Sequence, residues 1–184
     1  MLVHAGASGV GLAAIQTAKL LGAAVAATTR SAGKLEGIRA AGADLAIDTA
    51  AGEFADVIEG AWGRDAVAVI LDPVGADTLA GDLRVLARQG RVVFLSTLSG
   101  ARAELDVGLL LAKRGRLIGS TLRSRPREEK ARIITRFREE VLPGFDSDAL
   151  RVSIDARFPP DRAAEAFSRM RANLNAGKIL IDWS

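Results

Sequence analysis

The sequence predicts an α/β fold built on a doubly wound parallel sheet, and three observations predict it. A short apolar run at Leu2–Ala5 ends in a glycine-rich turn, and a helical pattern opens directly behind it. Strand-like and helix-like stretches then alternate as far as Thr121, with no internal repeat. The stretch Ala66–Leu71 is apolar throughout, the pattern of a parallel strand buried on both faces. Right-handed crossovers place helices on both sides of such a sheet. The expected strand order is 3-2-1-4-5-6, with a ligand over the carboxyl ends of the strands at the switch point.

Each element can be justified in turn. The first strand is read at Leu2–Ala5 and the first helix at Gly9–Leu21, with Val10, Ala14, Thr17, Ala18 and Leu21 on one face and Gly22 as its stop. Ala23–Thr29 is a strand of small residues. Ser31 is placed to cap a helix carrying Lys34, Leu35, Ile38 and Ala41, closed by Gly42. A third strand follows at Asp44–Asp48, then a helix with Phe54, Val57, Ile58 and Trp62 on one side. After the Ala66–Leu71 strand, Asp72-Pro-Val-Gly75 is a turn, and Leu79, Leu83, Leu86 and Ala87 mark the next helix. Gly90–Ser96 is the fifth strand, Leu105–Lys113 a short helix and Arg116–Thr121 the sixth strand. Pro126–Leu142 is a long amphipathic helix with Pro126 as its first residue and Ile133, Ile134, Phe137 and Val141 as its stripe. Arg151–Phe158 reads as a half-wet strand, Pro160–Asn173 as a helix and Ile179–Trp183 as a last strand. This β-α-β tail does not continue the doubly wound rhythm, so a different structural layer is expected for it.

Composition narrows the chemistry. Hydrophobic residues make up 49% of 184 residues, enough for one domain or slightly more. There is no cysteine, which excludes disulfides and thiol chemistry, and a single histidine, His4, cannot build the usual zinc site. No metal site is expected. No uncharged apolar run of membrane-spanning length occurs and no signal peptide is visible, so a cytoplasmic protein is expected. The net charge is +3, but ten Lys/Arg and two Glu fall between Lys113 and Arg138. Phe137 alone among the aromatics lies in that belt, which argues against stacking on nucleic acid. No Ser/His/Asp set or carboxylate pair stands out, so no catalytic residue is assigned. His4 reads as a packed, hydrogen-bonded side chain and Asp72 as a structural one.

The glycine turn carries the functional signal. In the register Gly9, Gly11, Ala14 it fits G-x-G-x-x-A; in the register Gly6, Ser8, Gly11 the middle glycine is a serine. Strand, glycine turn and helix in that order form the phosphate cradle of a Rossmann-type fold, where free helix N–H groups and the positive dipole end meet a pyrophosphate. An NAD site places an acid on the ribose about 20 residues further on. Here no acid occurs between Gly11 and Glu36, and the second strand ends in Arg30, Ser31 and Lys34. Two cations and a hydroxyl suit a 2′-phosphate, which makes NADP the expected cofactor.

These residues resemble the cofactor-binding half of the medium-chain dehydrogenase/reductase superfamily, and within it the zinc-free quinone oxidoreductases. The stretches that carry the resemblance are Val3–Gln16, Ala40–Ala43, Leu71–Gly75, Lys113–Arg125 and Gly177–Leu180. Leu122–Arg125 and Val141–Pro143 are most similar to the p53-inducible branch. The resemblance implies that Ser8, Gly9, Val10 and Gly11 contact the pyrophosphate. It implies that Ser31 and Lys34 meet the 2′-phosphate, with Arg30 as an added cation. Thr49 stands where many relatives carry a tyrosine against the adenosine phosphate. Val74 and Gly75 border the adenine side; Ser96, Thr97, Leu122, Arg123, Ser124 and Asn175 lie toward the nicotinamide half.

The implied reaction is hydride transfer from NADPH to a quinone. Two alternatives stay open: an enoyl or alkenal reductase, including the enoyl reductase domain of a polyketide synthase, and a non-enzymatic nucleotide-binding module. The resemblance also implies a GroES-like domain ahead of Met1, and the opening inside a strand leads to the expectation that the chain is part of a longer protein. The resemblance divides the chain into 1–124 and 125–184, and the second part would pack on that domain, leaving an apolar surface here for dimerisation or crystal partners to cover; a homodimer is expected. The expected partners are NADPH and a small quinone or enone, with neither nucleic acid nor membrane.

Overall fold

The computed structural model describes residues 1–183. Six parallel strands form one sheet in the order β3-β2-β1-β4-β5-β6. They are β1 (Leu2–Val3), β2 (Ala26–Thr29), β3 (Leu45–Asp48), β4 (Val67–Asp72), β5 (Leu86–Phe94) and β6 (Arg116–Gly119). This is the doubly wound order read from the sequence. Helices α1 (Gly9–Leu20), α2 (Leu35–Ala40), α3 (Phe54–Trp62), α4 (Leu79–Val85) and α5 (Val107–Lys113) connect the strands.

Alternation along the strands builds a core on each face. Leu2 and Ala26 join Phe54, Ile58, Ile70, Leu83 and Val92 on one face, under α3 and α4. Their neighbours Val3 and Ala27 point the other way and pack with Ile15, Ala18 and Ile38 from α1 and α2.

Several boundaries and faces differ from the sequence reading. Helix α1 buries Gly11, Leu12, Ile15 and Ala18, whereas Val10 and Leu21 are exposed. Gly11 sits so close to the turn before it that it fixes the rotation of the helix, and Ile15 and Ala18, four and seven positions on, must follow it inward. Leu86 and Ala87 leave the helical pattern and begin β5, because Leu86 pairs with Val67 and is fully buried there. The register then shifts between Val67 and Val69. Ala66 and Ala68 sit at this open end of β4 and are exposed, so the strand is not buried along its whole length. Strand β5 stops at Phe94, which leaves Ser96 in the following loop. Ser31 makes no side-chain capping bond; a 3-10 turn, Ala32–Lys34, intervenes before α2.

Beyond the sheet, α6 (Arg127–Glu140) takes Pro126 as its N-cap rather than its first residue. A short helix, α7 (Pro143–Asp146), follows that the sequence reading did not anticipate. The tail consists of β7 (Ile154–Phe158), α8 (Ala163–Arg171) and β8 (Lys178–Ile181). β7 and β8 pair in parallel as a separate two-stranded sheet, the different layer the broken rhythm predicts.

Candidate functional site

The carboxyl ends of β1, β2, β4 and β5 converge at one edge of the sheet, and the tail lies across it. Ser8 is the N-cap of α1, and its Oγ accepts from the Gly11 amide at 2.9 Å. Leu12 N–H is used by the Ser8 carbonyl. The first amides of the helix, those of Gly9 and Val10, have no acceptor within it and face outward with the dipole. The turn admits no side chain at Gly11: a Cβ there would lie 2.4 Å from the Ala5 carbonyl oxygen and 2.6 Å from that of Gly6. Ala5 itself is left-handed, with φ 51°. The first turn of α1 thus packs directly on the backbone of the turn before it, which only glycine allows.

At the end of β2, Arg30 is exposed, Ser31 half-buried, and Lys34 donates to Asn173 Oδ1 at 2.9 Å. Desolvation holds the Lys34 ammonium below its usual pKa; Asp155 opposes this, and the nearby charges of Arg30 and Arg169 add to it. An incoming dianion would relieve the repulsion among these cations. Thr49 is turned to the backbone, its N–H and Oγ1 both directed at the Thr29 carbonyl at 2.8 and 3.2 Å.

The β4 turn is built by Asp72, whose carboxylate accepts from the amides of Val74 (2.6 Å) and Gly75 (3.1 Å) and from Thr78 Oγ1 (2.8 Å). That set of donors makes Asp72 a structural residue. A Cβ on Gly75 would lie 3.4 Å from Thr97 Cα and 3.6 Å from Ser96 O, so these two pairs of residues, far apart in sequence, share one wall. Leu122, Arg123 and Ser124 are exposed one strand further out, behind β6, with Ser124 Oγ 2.6 Å from Thr121 Oγ1.

The tail is pinned to the glycine turn. Gly177 N–H donates to the Ala7 carbonyl at 2.9 Å, bridging Ser8 and Gly177. Asn175 Nδ2 donates to the Gly177 carbonyl at 3.1 Å and so braces this crossing. Gly177 has φ 95°, and a Cβ on it would lie 2.4 Å from the Ser153 carbonyl oxygen. The Lys178 side chain lies directly over Gly9, where a Cβ would come within 2.6 Å of its Cε. Sequence reasoning flagged the Gly177–Leu180 stretch but not Lys178 or Asn173 as residues of this site. A cavity of about 240 Å³ adjoins the turn, walled by Leu12, Phe137, Phe145 and Leu150 and edged by Gly9 and Lys178.

Nearly the whole chain is similar to known proteins. Residues 9–138 match the family described as zinc-binding dehydrogenase. The chain is 36% identical over 190 residues to a quinone oxidoreductase of Salmonella typhimurium, covering 98% of this chain and 55% of that protein. It is 29% identical over 184 residues to an NADPH-dependent alkenal/one oxidoreductase of Arabidopsis thaliana, covering 98% of this chain and 40% of that one. The crystal structure of Escherichia coli quinone oxidoreductase complexed with NADPH superposes with a TM-score of 0.82 at 29% identity, over 98% of this chain and 56% of the other. The chain thus spans about half the length of the quinone oxidoreductases it matches.

Proposed function

The chain belongs to the zinc-binding dehydrogenase family, and from that premise we propose that it is the NADPH-binding portion of an oxidoreductase that passes a hydride to a quinone. The observation that carries the reading is a glycine turn with no room for a Cβ beside a strand end bearing Arg30 and Lys34 and no acid. When bound, NADPH supplies the hydride, and the protein supplies binding and orientation.

The Gly9 and Val10 amides and the Ser8 hydroxyl donate to the pyrophosphate, with Gly11 giving the close approach. Lys178, crossing Gly9, adds a cation to the same group. Arg30, Ser31 and Lys34 take the 2′-phosphate, Lys34 exchanging Asn173 for it. Thr49, Val74 and Gly75 border the adenosine. Ser96, Thr97, Leu122, Arg123, Ser124 and Asn175 face the nicotinamide half.

The residues do not fit the metal in the family's description. The chain has no cysteine, its one histidine is buried against Thr28 and Asp82, and no group of three possible ligands occurs among the described residues. No step is assigned to a metal.

The division at 124/125 and the packing of the tail on a further, GroES-like domain belong to the same reading. Phe167, Met170, Leu174 and Trp183, exposed on the tail, support it. A homodimer is part of the same proposal, and the exposed apolar residues of α6 and α8 support it. No described helix is long and apolar enough to cross a membrane; a cytoplasmic location is part of the proposal. The alkenal/one oxidoreductase match favours one second reading, in which the acceptor is an enone.

Titration calorimetry with NADPH and with NADH tests the cofactor assignment. NADPH is expected to bind about tenfold tighter or better, the scale of one charge-assisted contact. Equal affinities would contradict it.

A further inference from the structure

Beneath the glycine turn lies a buried polar chain outside the residues assigned to the cofactor. His4 and Asp82 are 1% and 0% exposed. His4 Nε2 is 2.8 Å from Asp82 Oδ1, and His4 Nδ1 is 2.9 Å from Thr28 Oγ1. The edge of Phe54 closes the ring in, at a centroid distance of 4.8 Å. Asp82 Oδ2 has no partner among the described residues. The arrangement joins β1, β2 and α4 at a depth where apolar side chains would fill the space at lower desolvation cost.

The position of the chain shows what this cost maintains. His4 immediately precedes Ala5, the left-handed residue of the turn. A non-glycine residue in that region persists only where its surroundings over-determine it. His4 is held by its backbone to the Leu71 carbonyl at 3.0 Å and by its ring to two further elements. Thr28, held by the ring at its hydroxyl, offers its carbonyl to Gly6 N–H at 2.7 Å. The relay therefore grips the turn at both Ala5 and Gly6, whose carbonyls are the surfaces that Gly11 packs against.

We propose that the Asp82–His4–Thr28 relay is the positioning element of the phosphate turn: it keeps Ala5 left-handed and so sets where the Gly9 and Val10 amides point. The part that concerns NADPH rests on the function proposed above. The titratable groups facing the relay are His4 and Asp82 themselves and Asp72 on β4; burial and then Asp72 push the Asp82 carboxyl up, while His4 opposes.

Amide hydrogen exchange of the unliganded protein, followed by NADPH titration, tests this in wild type, Asp82→Leu, Asp82→Asn and Thr28→Val. Asp82→Leu is expected to leave exchange in β2 and β3 unchanged, to speed it about tenfold at Gly6 and Gly11, and to weaken NADPH by about the same factor. Asp82→Asn keeps an oxygen for Nε2 and should restore both. A folded Asp82→Leu protein with wild-type exchange at Gly6 and Gly11 would overturn the proposal, as would an Asp82→Asn protein equally impaired. If Asp82→Leu does not fold, Thr28→Val, which removes only the hydroxyl, decides in its place: faster exchange at Gly6 supports the relay and unchanged exchange overturns it. A wild-type protein that binds no NADPH would end the cofactor reading, while the exchange difference would still decide for or against the relay.

Discussion

The six-stranded sheet and the β7–α8–β8 tail are both parallel βαβ constructions, yet they are held by different forces. The sheet encloses apolar residues on both faces, from Leu2 to Val92. Beyond Val92, Leu150 and Ala166 are the only buried apolar side chains among the described residues. The tail is instead tied down by directional contacts: Gly177 to Ala7, Lys34 to Asn173, and Gln16 to Arg151 through both of its amide atoms. One region is stable on its own core, and the other is positioned over the glycine turn while its apolar faces stay open. On α8 the open face carries Phe167 and Met170.

The largest expected effect that separates the regions is a cavity in the sheet core. Leu83→Ala, at a site 1% exposed, should cost about 2–5 kcal/mol in urea unfolding. Acid should act next, and on the tail first. The Arg169 hydrogen bonds hold the Asp155 carboxyl below its usual pKa; partial burial opposes them, and the Ala176 amide and nearby charges help. A carboxylate depressed in the folded state contributes stability above its unfolded pKa and loses it as pH falls through the folded value. Amide exchange in β7 and β8 should therefore rise below about pH 4, the ordinary carboxylate range, before exchange in β1 and β2 does. Asp82 in the sheet runs the other way: raised by burial, its contribution is present at low pH and fades as pH rises. Acid that loosened the sheet first would break the comparison.

Smaller effects sharpen it. Ala5→Gly should stabilise the sheet half by about 1 kcal/mol, since glycine takes the left-handed conformation freely; thermal unfolding reads this directly. Phe167→Ala in the tail, at a side chain 56% exposed, should change stability by no more than about 0.5 kcal/mol. A cost at Phe167 as large as that at Leu83 would mean that the tail has a core of its own.

How much of this is legible in the sequence follows the range of the contacts. Strand order follows from the handedness of the crossovers. The Phe54–Trp62 helix is readable because apolar spacing is local, although Val57, read on its inner face, is exposed. Leu86 is misread for the same reason: it continues the spacing of Leu79 and Leu83, and nothing local reports that it pairs with Val67. Ser31 has the residue type and the extended backbone of a cap but makes no side-chain capping bond. The face of α1 turns on one close approach, Gly11 against Ala5, which no periodicity among alanines reveals. Lys178 over Gly9, Asn173 on Lys34 and Asp82 on His4 all join residues far apart in the chain. The glycine turn, the cations after β2 and the tail as a separate layer are legible; the long-range contacts by which the tail and the buried relay brace the turn are not.

The most direct test of the cofactor half is a titration of isotopically labelled protein with NADPH, following backbone amide resonances. The largest shifts are expected at Gly9, Val10 and Gly11 and at Arg30 to Lys34, with Asn173 moving as Lys34 leaves it. Saturable binding that leaves all of these resonances in place would contradict it.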